Sequence, residues 1–349
     1  MNPALLVKFR PLGPWRSGPD SGLRNRVDPI YHSDSLYSAV TGAMASLGGL
    51  EEWLEATARS GSGPAVRFSS CFPFQGNARF VTPPRSIWPP AISPKVRWKG
   101  ARFVPLDQVD ALLCGEPIND ERWAVDGPSE CLVHPGQRGP FRPALRPSAA
   151  VDRLSGAVEP HETACLEFAA GAGLWTLVSF AGDAERERWT APVQEALRLL
   201  ADTGLGGERS RGWGRFELPE FQEGTLPEMI LPRAGAPPAP LEESDPAPVP
   251  PPPAAQSYWL LSLFAPASTD AIDWEHGTYS LLERGGRVES PAGSGRLKKR
   301  LNMVTEGSVL VSSGGVSGAA ADVAPDGFPH PVFRAGFAVA IPIPSQGAS

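Results

Sequence analysis

The sequence is poor in the residues that build disulfides and metal sites, and it lacks membrane-spanning runs. Four cysteines and five histidines occur in 349 residues, and the cysteines are too scattered for a disulfide framework, at Cys71, Cys114, Cys131 and Cys165. No apolar run approaches the roughly 20 residues of a membrane-spanning helix. The opening residues also lack the apolar core of a signal peptide. We therefore expect a cytoplasmic protein in a reducing compartment, without a membrane partner.

Net positive charge is absent as well, since 38 Asp and Glu outnumber 32 Lys and Arg and leave a net charge of −6. Proteins that coat nucleic acid without selectivity are usually basic overall, so the composition argues against that class. A local cluster of cations can still attract phosphate on an acidic molecule. Proline, by contrast, is abundant: 40 residues, about twice the average usage, predict long irregular loops.

The periodicity of apolar residues predicts several helices and strands. One helix is indicated by apolar residues at spacings of three and four, namely Leu36, Val40, Met44 and Leu47. A later helix is expected to stop at Gly204. Two apolar runs, residues 164–168 and 174–180, are separated by a glycine-containing segment and are expected to pair as a β-hairpin.

We divide the chain into three segments, because a single core rarely grows to 349 residues. Residues 1–219 form a first domain with a large proline-rich insertion at about 83–147. Residues 220–256 combine prolines with an acidic stretch, which predicts an extended linker. Residues 257–349 form a second domain that opens and closes with strands. Strands with few helices in both halves predict an α+β protein of two ferredoxin-like (RRM-like) domains.

The segment Gly204–Arg215 carries the clearest functional signal. Its five glycines leave backbone N–H groups unshielded and permit positive φ, so the chain can lie close to a phosphate backbone. Arg209, Arg211 and Arg215 add charge and bidentate donors. A dinucleotide fingerprint follows a strand and opens a helix, whereas this loop is expected after a helix and before a strand at residues 215–218. We interpret the loop as a grip on an RNA backbone rather than as a simple turn.

This order of helix, glycine-rich loop and strand resembles the RAMP superfamily of CRISPR proteins, and within it the family of the fourth subunit of type III-A Csm complexes. Further short motifs are similar to that family and follow in order: Phe9–Pro11 with Gly13–Arg16, His32–Ala39, Val151–Gly156, Lys298–Met303, Glu306–Val309 and His330–Gly336. The similarity covers almost the whole chain, except the linker and much of residues 83–140.

The resemblance implies a non-catalytic subunit of a CRISPR ribonucleoprotein in antiviral defence. Such a subunit holds the 5′ repeat-derived handle of the crRNA, contacts the large polymerase-like Csm subunit and the backbone Csm subunit, and meets target RNA only indirectly. Part of the insertion is implied to form a β-hairpin arm that wedges between guide and target nucleotides. No cofactor, metal or catalytic residue is implied.

The residues expected to contact RNA combine cations, stacking rings and loop glycines. They are Arg10, Trp15, Arg16, His32, Ser33, Arg146, Arg153, Gly204, Gly206, Gly207, Arg209, Ser210, Arg211, Gly212, Trp213, Arg215, Lys298, Lys299 and Arg300. Simpler roles compete for two of these groups. The basic run at 296–300 can be a solvated charged face, and Arg153 can pair with an acidic neighbour such as Asp152.

Other functions are compatible with the same residues. A repeat-cleaving endoribonuclease would use His32 as a general acid or base. The equivalent subunit of a type III-B complex is another alternative, and in a protein–protein adaptor the basic groups would only bridge acidic partners. A structural zinc site is a weaker idea, because its four ligands lie in or beside the unassigned proline-rich region: Cys131, His134, His161 and Cys165.

Overall fold

The computed structural model describes residues 2–18, 22–90, 96–234, 255–290 and 292–344. The elements up to residue 234 are β1 Asn2–Phe9, α1 Ser33–Ser46, α2 Leu50–Ala56, β2 Val66–Phe68, β3 Phe72–Gln75, β4 Ala78–Val81, β5 Val104–Pro105, α3 Leu106–Leu113, β6 Ala124–Asp126, β7 Cys131–Val133, β8 Phe141–Val151, β9 Val158–Phe168, β10 Ala172–Phe180, α4 Asp183–Thr203 and β11 Glu220–Leu226. The later elements are β12 Gln256–Leu260, β13 Ile272–Thr278, β14 Leu281–Arg284, β15 Leu301–Val304, β16 Val309–Ser312, β17 Ala320–Asp322, β18 Phe333–Ala335 and β19 Ala340–Ile343.

The first half is built on an antiparallel sheet in the order β11-β1-β10-β3-β4-β5, with β2 also paired to β10. Strands β1 and β10 lie at its centre, and all nine residues of β10 are buried. Leu5 stands opposite Val178 on one side and Glu223 on the other. Helices α1 and α4 contact each other and this sheet, so the core of the first half lies between the two layers.

Both helices predicted from apolar periodicity are confirmed. Helix α1 buries Leu36, Val40 and Met44, while Leu47 is its exposed C-terminal cap. Helix α4 ends at Gly204, whose φ of +84° is a conformation that glycine adopts at little cost. Among the described residues, no helix is both long enough and apolar enough to cross a membrane.

Two predictions about strands are wrong. Residues 164–168 and 174–180 do not pair with each other, because β9 pairs along its whole length with β8 and β10 occupies the centre of the first sheet. The strand expected at residues 215–218 begins at Glu220 instead. The linker also begins later than predicted, because β11 pairs with β1 and completes the edge of the sheet. The proline-rich residues 235–254 lie outside the described part of the chain.

The predicted insertion at 83–147 is less irregular than expected. It contains β5, α3, β6, β7 and the start of β8, and it buries Trp98, Phe103 and Val109. Strand β5 spans two residues, and β6 and β7 span three each. Elements this short show no measurable periodicity, which is why the sequence did not reveal them.

The second half is built on a smaller antiparallel sheet in the order β13-β16-β12-β19. Within residues 255–290 and 292–344 there is no α-helix, which departs from the predicted βαββαβ unit. The hairpin β14-β15 and the strand pair β17-β18 occupy the connections instead. Glycine and proline interrupt these connections, so no helical period can develop there.

The two halves nevertheless share one strand order. In the first half the principal strands, in chain order, are β1, β3, β10 and β11, and in the second they are β12, β13, β16 and β19. In both sheets the fourth strand lies beside the first, then comes the third, then the second. All of these pairings are antiparallel.

The halves are joined by a continuous core and by a buried group of charges. The indole Nε1 of Trp259 donates to the carbonyl oxygen of Thr82 at 3.1 Å, and the rings of Tyr37 and Phe337 meet edge-on at 5.4 Å. At the start of α1, the carboxylate of Asp34 accepts hydrogen bonds from Arg284 at 3.0 and 3.1 Å and from Arg334. All three side chains of this Asp34 cluster are buried.

Replacing Asp34 with Asn should destabilise the protein strongly, because it leaves two buried guanidinium groups without their counter-charge. Removing one partner of a buried ion pair costs about 3–5 kcal/mol. The free energy of unfolding, measured by denaturant titration, should fall by that order. The control is Asp183→Asn, which removes an exposed carboxylate that pairs with Arg186 in the first turn of α4 and should cost no more than about 1 kcal/mol. Equal stability of the two variants would contradict a structural role for the cluster.

Candidate nucleic-acid interface

The glycine-rich loop is a closed structure anchored to the N-terminal segment. A short 3-10 turn, Arg209–Arg211, forms its tip. The backbone N–H of Leu205 donates to the carbonyl of Gly214 at 3.0 Å, and Gly214 in turn donates to Pro14 at 2.9 Å. Gly207 donates to the carbonyl of Arg16 at 2.8 Å. The tip therefore projects from a fixed base.

The glycines of this base permit close packing within the protein rather than with RNA. A Cβ atom added at Gly206 would lie 2.2 Å from the carbonyl oxygen of Arg16, and one at Gly214 would lie 1.9 Å from that of Leu205. Gly204, Gly206, Gly212 and Gly214 all have positive φ. Of these four, only at Gly212 does the added atom meet nothing within 4 Å, so this glycine faces open space at the tip.

A groove of about 570 Å³ runs between the loop, helices α1 and α4, and the second half of the chain. Its α1 wall is lined by small residues, namely Ser35, Ser38, Ala39, Gly42 and Ser46. Small side chains let an elongated ligand approach the helix closely. The facing walls carry cations on both halves: Arg209, Arg284, Lys298 and Arg334.

The charges of the groove are arranged in two layers. In the buried layer, desolvation alone would raise the pKa of Asp34, but Arg284 and Arg334 hold it well below its usual range. This carboxylate stays ionised and balances part of the positive charge beneath the groove. In the outer layer, the guanidinium of Arg209 donates to both carboxylate oxygens of Glu289 at 2.7 and 3.0 Å. That pair bridges the loop and the second half.

His32 is not at the surface of this groove. It is 2% exposed, and its ring nitrogens lie 2.8 Å from Glu306 Oε1 and 3.1 Å from Asp28 Oδ2. Burial alone would lower the pKa of His32, but the two carboxylates outweigh it and raise the pKa to about 9. The imidazolium is a structural cation that joins the halves, so the prediction that His32 touches RNA, or acts as an accessible acid or base, is wrong for this conformation.

Three further predicted contacts are also buried. Trp15 is fully enclosed and cannot stack on a base. Arg16 donates to four carbonyl oxygens, those of Leu23, Arg24, Arg26 and Ala164. Ser33 accepts a hydrogen bond from the backbone of Leu263 at 3.0 Å. These residues hold the base of the loop and the junction of the halves. They therefore have a structural role within the motifs and are not exposed to a ligand.

The remaining predicted cations are exposed, except for the half-buried Arg10 and Lys298, and most of them are paired. Arg10 donates to Glu220 at 2.7 Å, Arg215 to the carbonyl of Asp202 at 2.7 Å, and Arg300 to Glu283 at 2.7 Å. Lys299 forms an ion pair with Asp326 at 3.0 Å, and Arg146 pairs with Glu167. The loop tip adds the exposed Ser210 and the half-buried Trp213. Exposed ion pairs of this kind are weak, so phosphates can displace them.

A long hairpin stands beside the loop. Strands β8 and β9 pair through eleven successive positions, from Phe141 opposite Phe168 to Val151 opposite Val158. Its turn exposes Arg153 and leaves Leu154 99% exposed. Arg211 donates to the hydroxyl of Ser148 at 3.1 Å, which links the loop tip to the hairpin. The arm starts at the end of the predicted insertion and extends past it.

The four residues that we considered as zinc ligands do not converge. His134 stacks on Trp123 at 4.5 Å and its Nδ1 lies 3.0 Å from the carbonyl oxygen of Arg122, while Cys131 is buried beside Ser129. In the described ranges, no group of three or more His, Cys, Asp or Glu side chains is placed to hold a metal ion.

Sequence reasoning missed the residues that close the groove. Asp34, Arg284, Glu289 and Arg334 were not identified as site residues, although some lie inside the quoted motifs. Their partners are far away in the chain: Asp34 and Arg334 are 300 residues apart. A single sequence carries no local signal for such pairs.

Comparisons with known proteins agree with the motifs. Residues 253–343 match the family described as the CRISPR Csm4 C-terminal domain. The "CRISPR system Cms protein Csm4" of Thermococcus onnurineus is 22% identical over 326 residues, which cover 89% of this chain and 88% of that protein. The match to the Thermococcus protein extends over both halves, and the family match covers the second half.

Two solved structures share the fold over nearly the whole chain. A chain of the crystal structure of a Csm3-Csm4 subcomplex in the type III-A CRISPR-Cas interference complex has 16% identity and a TM-score of 0.63, with coverage of 99% of this chain and 100% of that one. A chain of the Csm1-Csm4 cassette in complex with cA4 has 18% identity and a TM-score of 0.58, with the same coverage. The mixed α+β architecture is therefore that of these CRISPR subunits.

By its fold, its motifs and these matches, the chain is similar to proteins of the RAMP class. Within that class the chain is Csm4-like, as its second half and its full-length relative indicate.

The stability of the protein should fall as the pH rises through the titration of His32. Because its folded pKa of about 9 lies above the unfolded value of 6.5, the stabilisation is complete below about pH 6.5 and is lost as the pH approaches 9. The loss should be on the order of 3 kcal/mol, since each tenfold increase in proton affinity on folding corresponds to about 1.4 kcal/mol. Unfolding free energies across this window provide the measurement.

Two variants test whether the pH-dependent decline in stability comes from His32 or from another group. His32→Gln should abolish the decline between pH 6.5 and 9, whereas His276→Gln should preserve it, because His276 is an exposed residue paired only with Asp273. A decline that persists unchanged in His32→Gln would assign the titration to another group.

Proposed function

We propose that this chain is a non-catalytic subunit of a type III-A CRISPR (Csm) interference complex, which binds the 5′ repeat-derived handle of the crRNA in antiviral defence. The observation that carries the proposal is the groove between the glycine-rich loop and the second half. It combines a wall of small residues with cations from both halves, which suits a sugar-phosphate backbone.

The shape of the site favours single-stranded RNA over a duplex. The cations of the groove come from the loop tip, from strands β14 and β18 and from the chain at Lys298, and the half-buried Trp213 is the loop's stacking ring. Unpaired nucleotides can follow such a path and expose their bases for stacking. The exposed Arg209, Ser210 and Arg211 supply hydrogen-bond donors to phosphate oxygens.

The β8-β9 hairpin is proposed as the arm that separates guide from target nucleotides. Its exposed apolar tip, Leu154, is suited to insertion between bases, and Arg153 beside it can meet a phosphate. Arg142 and Arg146 both pair with Glu167 along its base. Contact with target RNA would then be indirect, through the guide that the groove holds.

The proposed protein partners are the large polymerase-like subunit and the backbone subunit. The solved relatives are described as a Csm1-Csm4 cassette and a Csm3-Csm4 subcomplex. The same fold over the full chain supports equivalent contacts here. The type III-B equivalent remains the second candidate, with the same RNA-binding role in a different assembly.

A binding role rather than catalysis is supported by the state of His32. General acid–base catalysis needs a group within hydrogen-bond reach of the substrate, and this imidazole is enclosed by Asp28 and Glu306. No histidine lines the groove among the described residues. We therefore expect that other subunits cleave the RNA.

We also propose that both halves descend from one ferredoxin-like unit. The common strand order of the two sheets supports this, because four antiparallel strands in that order define the ferredoxin-like sheet. The domain boundaries then fall at about residue 234 and at the start of β12. The connections of the second half would have lost their helices.

Replacing Arg209 and Arg211 with Ala should weaken binding of a labelled crRNA handle and flatten its salt dependence. Each lost phosphate contact lowers the slope of log K against log salt by about 0.7 for single strands, so the double variant should lose about 1.4. Binding isotherms at several salt concentrations measure both quantities. The RNA should remain uncut throughout, since a cleaved product would favour the endoribonuclease.

The matched control removes the same charge elsewhere. Arg59 and Arg188 are exposed and pair with Glu51, Glu55 and Glu52, away from the groove. Arg59→Ala with Arg188→Ala should leave affinity and slope close to wild type. An equal loss in both double variants would indicate a non-specific charge effect and count against the groove.

Glu289 should compete with RNA for Arg209, because its carboxylate occupies the donors that a phosphate would use. Glu289→Gln should therefore tighten handle binding about two- to fivefold, the equivalent of an exposed ion pair of roughly 0.5–1 kcal/mol. Glu51→Gln, which removes an equal charge beside Arg59, should have no such effect. If Glu289→Gln still tightens binding in an Arg209→Ala background, the competition is not for Arg209.

A further inference from the structure

A second cavity, of about 450 Å³, lies between the two halves and shares no residue with the RNA groove. One wall belongs to the first sheet and includes Arg67 of β2 and Ser179 of β10. The other wall is the turn at 314–317 with Tyr258 of β12. None of the functions discussed above uses this cavity.

Arg67 is directed into the cavity by its position in the sheet. It stands opposite Ser179, which in turn stands opposite Ala4 of β1. Directly opposed residues of antiparallel strands project from the same face. That face of the first sheet meets the second half at Ser317, so the guanidinium lies between two layers of protein.

The guanidinium has no partner among the described residues. Its Nε is buried without a hydrogen bond, and no carboxylate in the described part of the chain lies within ion-pair distance. Asp270 is near enough to favour the charge, but its carboxylate oxygens accept from the backbone N–H groups of Ala267, Ser317 and Gly318. Arg67 itself is half-buried and lines the cavity, so its guanidinium can pair with an anion that enters there.

The other groups at the cavity are also suited to an anion. Hydroxyl-bearing residues line it at Ser179, Tyr258 and Ser317, and no Asp or Glu does so among the described lining residues. A Cβ atom added at Gly63 would lie 3.3 Å from the hydroxyl oxygen of Ser317 and 3.8 Å from Nη2 of Arg67. Both donors therefore lie near the same residue, so one anion in the cavity can accept from each of them.

We propose that this cavity binds a phosphoryl group, with Arg67 as its bidentate anchor and the hydroxyls of Ser179 and Ser317 as further donors. The group can come from inorganic phosphate or from a nucleoside monophosphate, and the volume accommodates either. Because both halves contribute donors, the bound anion would tie them together at a place distant in sequence from the Asp34 cluster.

The test measures the thermal midpoint of the full chain against inorganic phosphate, and separately against AMP, at constant ionic strength with chloride as the replaced anion. We expect a saturable rise of about 2–4 °C for at least one of the two ligands. A response to phosphate alone assigns the free anion, and a stronger response to AMP assigns the nucleotide; either supports the site.

Three variants locate the response. Arg67→Met should abolish it, and Arg67→Lys, which retains charge but loses the planar fork, should weaken binding about tenfold. Arg209→Gln should leave it intact, because Arg209 lies in the RNA groove. Calorimetric titration of the same variants gives the stoichiometry.

The proposal is overturned by any of three results: no saturable rise with either ligand, a wild-type response in both Arg67 variants, or loss of the response in Arg209→Gln. If Arg67→Met does not fold, the Arg67→Lys titration decides, since unchanged affinity there would also exclude a bidentate anchor.

Discussion

The buried ion pairs of Asp34 with Arg284 and Arg334 are the constraint on which the arrangement of the two halves depends. Asp34 stands at the start of α1, and both arginines come from the second half. A buried carboxylate cannot be left without its partners, so the second half has little freedom to move away from α1. The imidazolium of His32, between Asp28 and Glu306, adds a second charged contact only two residues earlier in the chain.

The groove exists because these buried ion pairs hold the second half against α1. Fixing Arg284 and Arg334 over α1 brings the neighbouring Glu289 and Lys298 to the side opposite the glycine-rich loop. The loop is held independently by its backbone contacts with Pro14 and Arg16. Two rigid walls from distant parts of the sequence thus face each other across small residues of α1. At the bottom of the groove the carboxylate of Asp34 offsets part of the charge of the two buried arginines. At its edge the ion pairs are exposed, so that phosphates can displace them.

Local features were predictable from the sequence, while contacts between distant residues were not. The periodicity of Leu36, Val40 and Met44 gave α1 correctly, and Gly204 marked the end of α4. The motif around His32 was found, but its role was misread, because the same residue types serve RNA contacts and buried ion pairs. Only Glu306, placed beside the imidazole by folding, distinguishes the two. Short elements such as β5 and β6 were invisible because two or three residues carry no period.

The described part of the second half contains no α-helix, which explains why it can serve as a groove wall. In the first half, α1 and α4 cover the sheet and leave α1 with an outer face that needs a neighbour. The second sheet has the same strand order, but its connections are hairpins and irregular chain. Helices there would stand where β14 and β18 now bring Arg284 and Arg334 to Asp34. Because these connections are hairpins and irregular chain rather than helices, Arg284 and Arg334 can reach α1. The same connections leave room for a ligand beside α1.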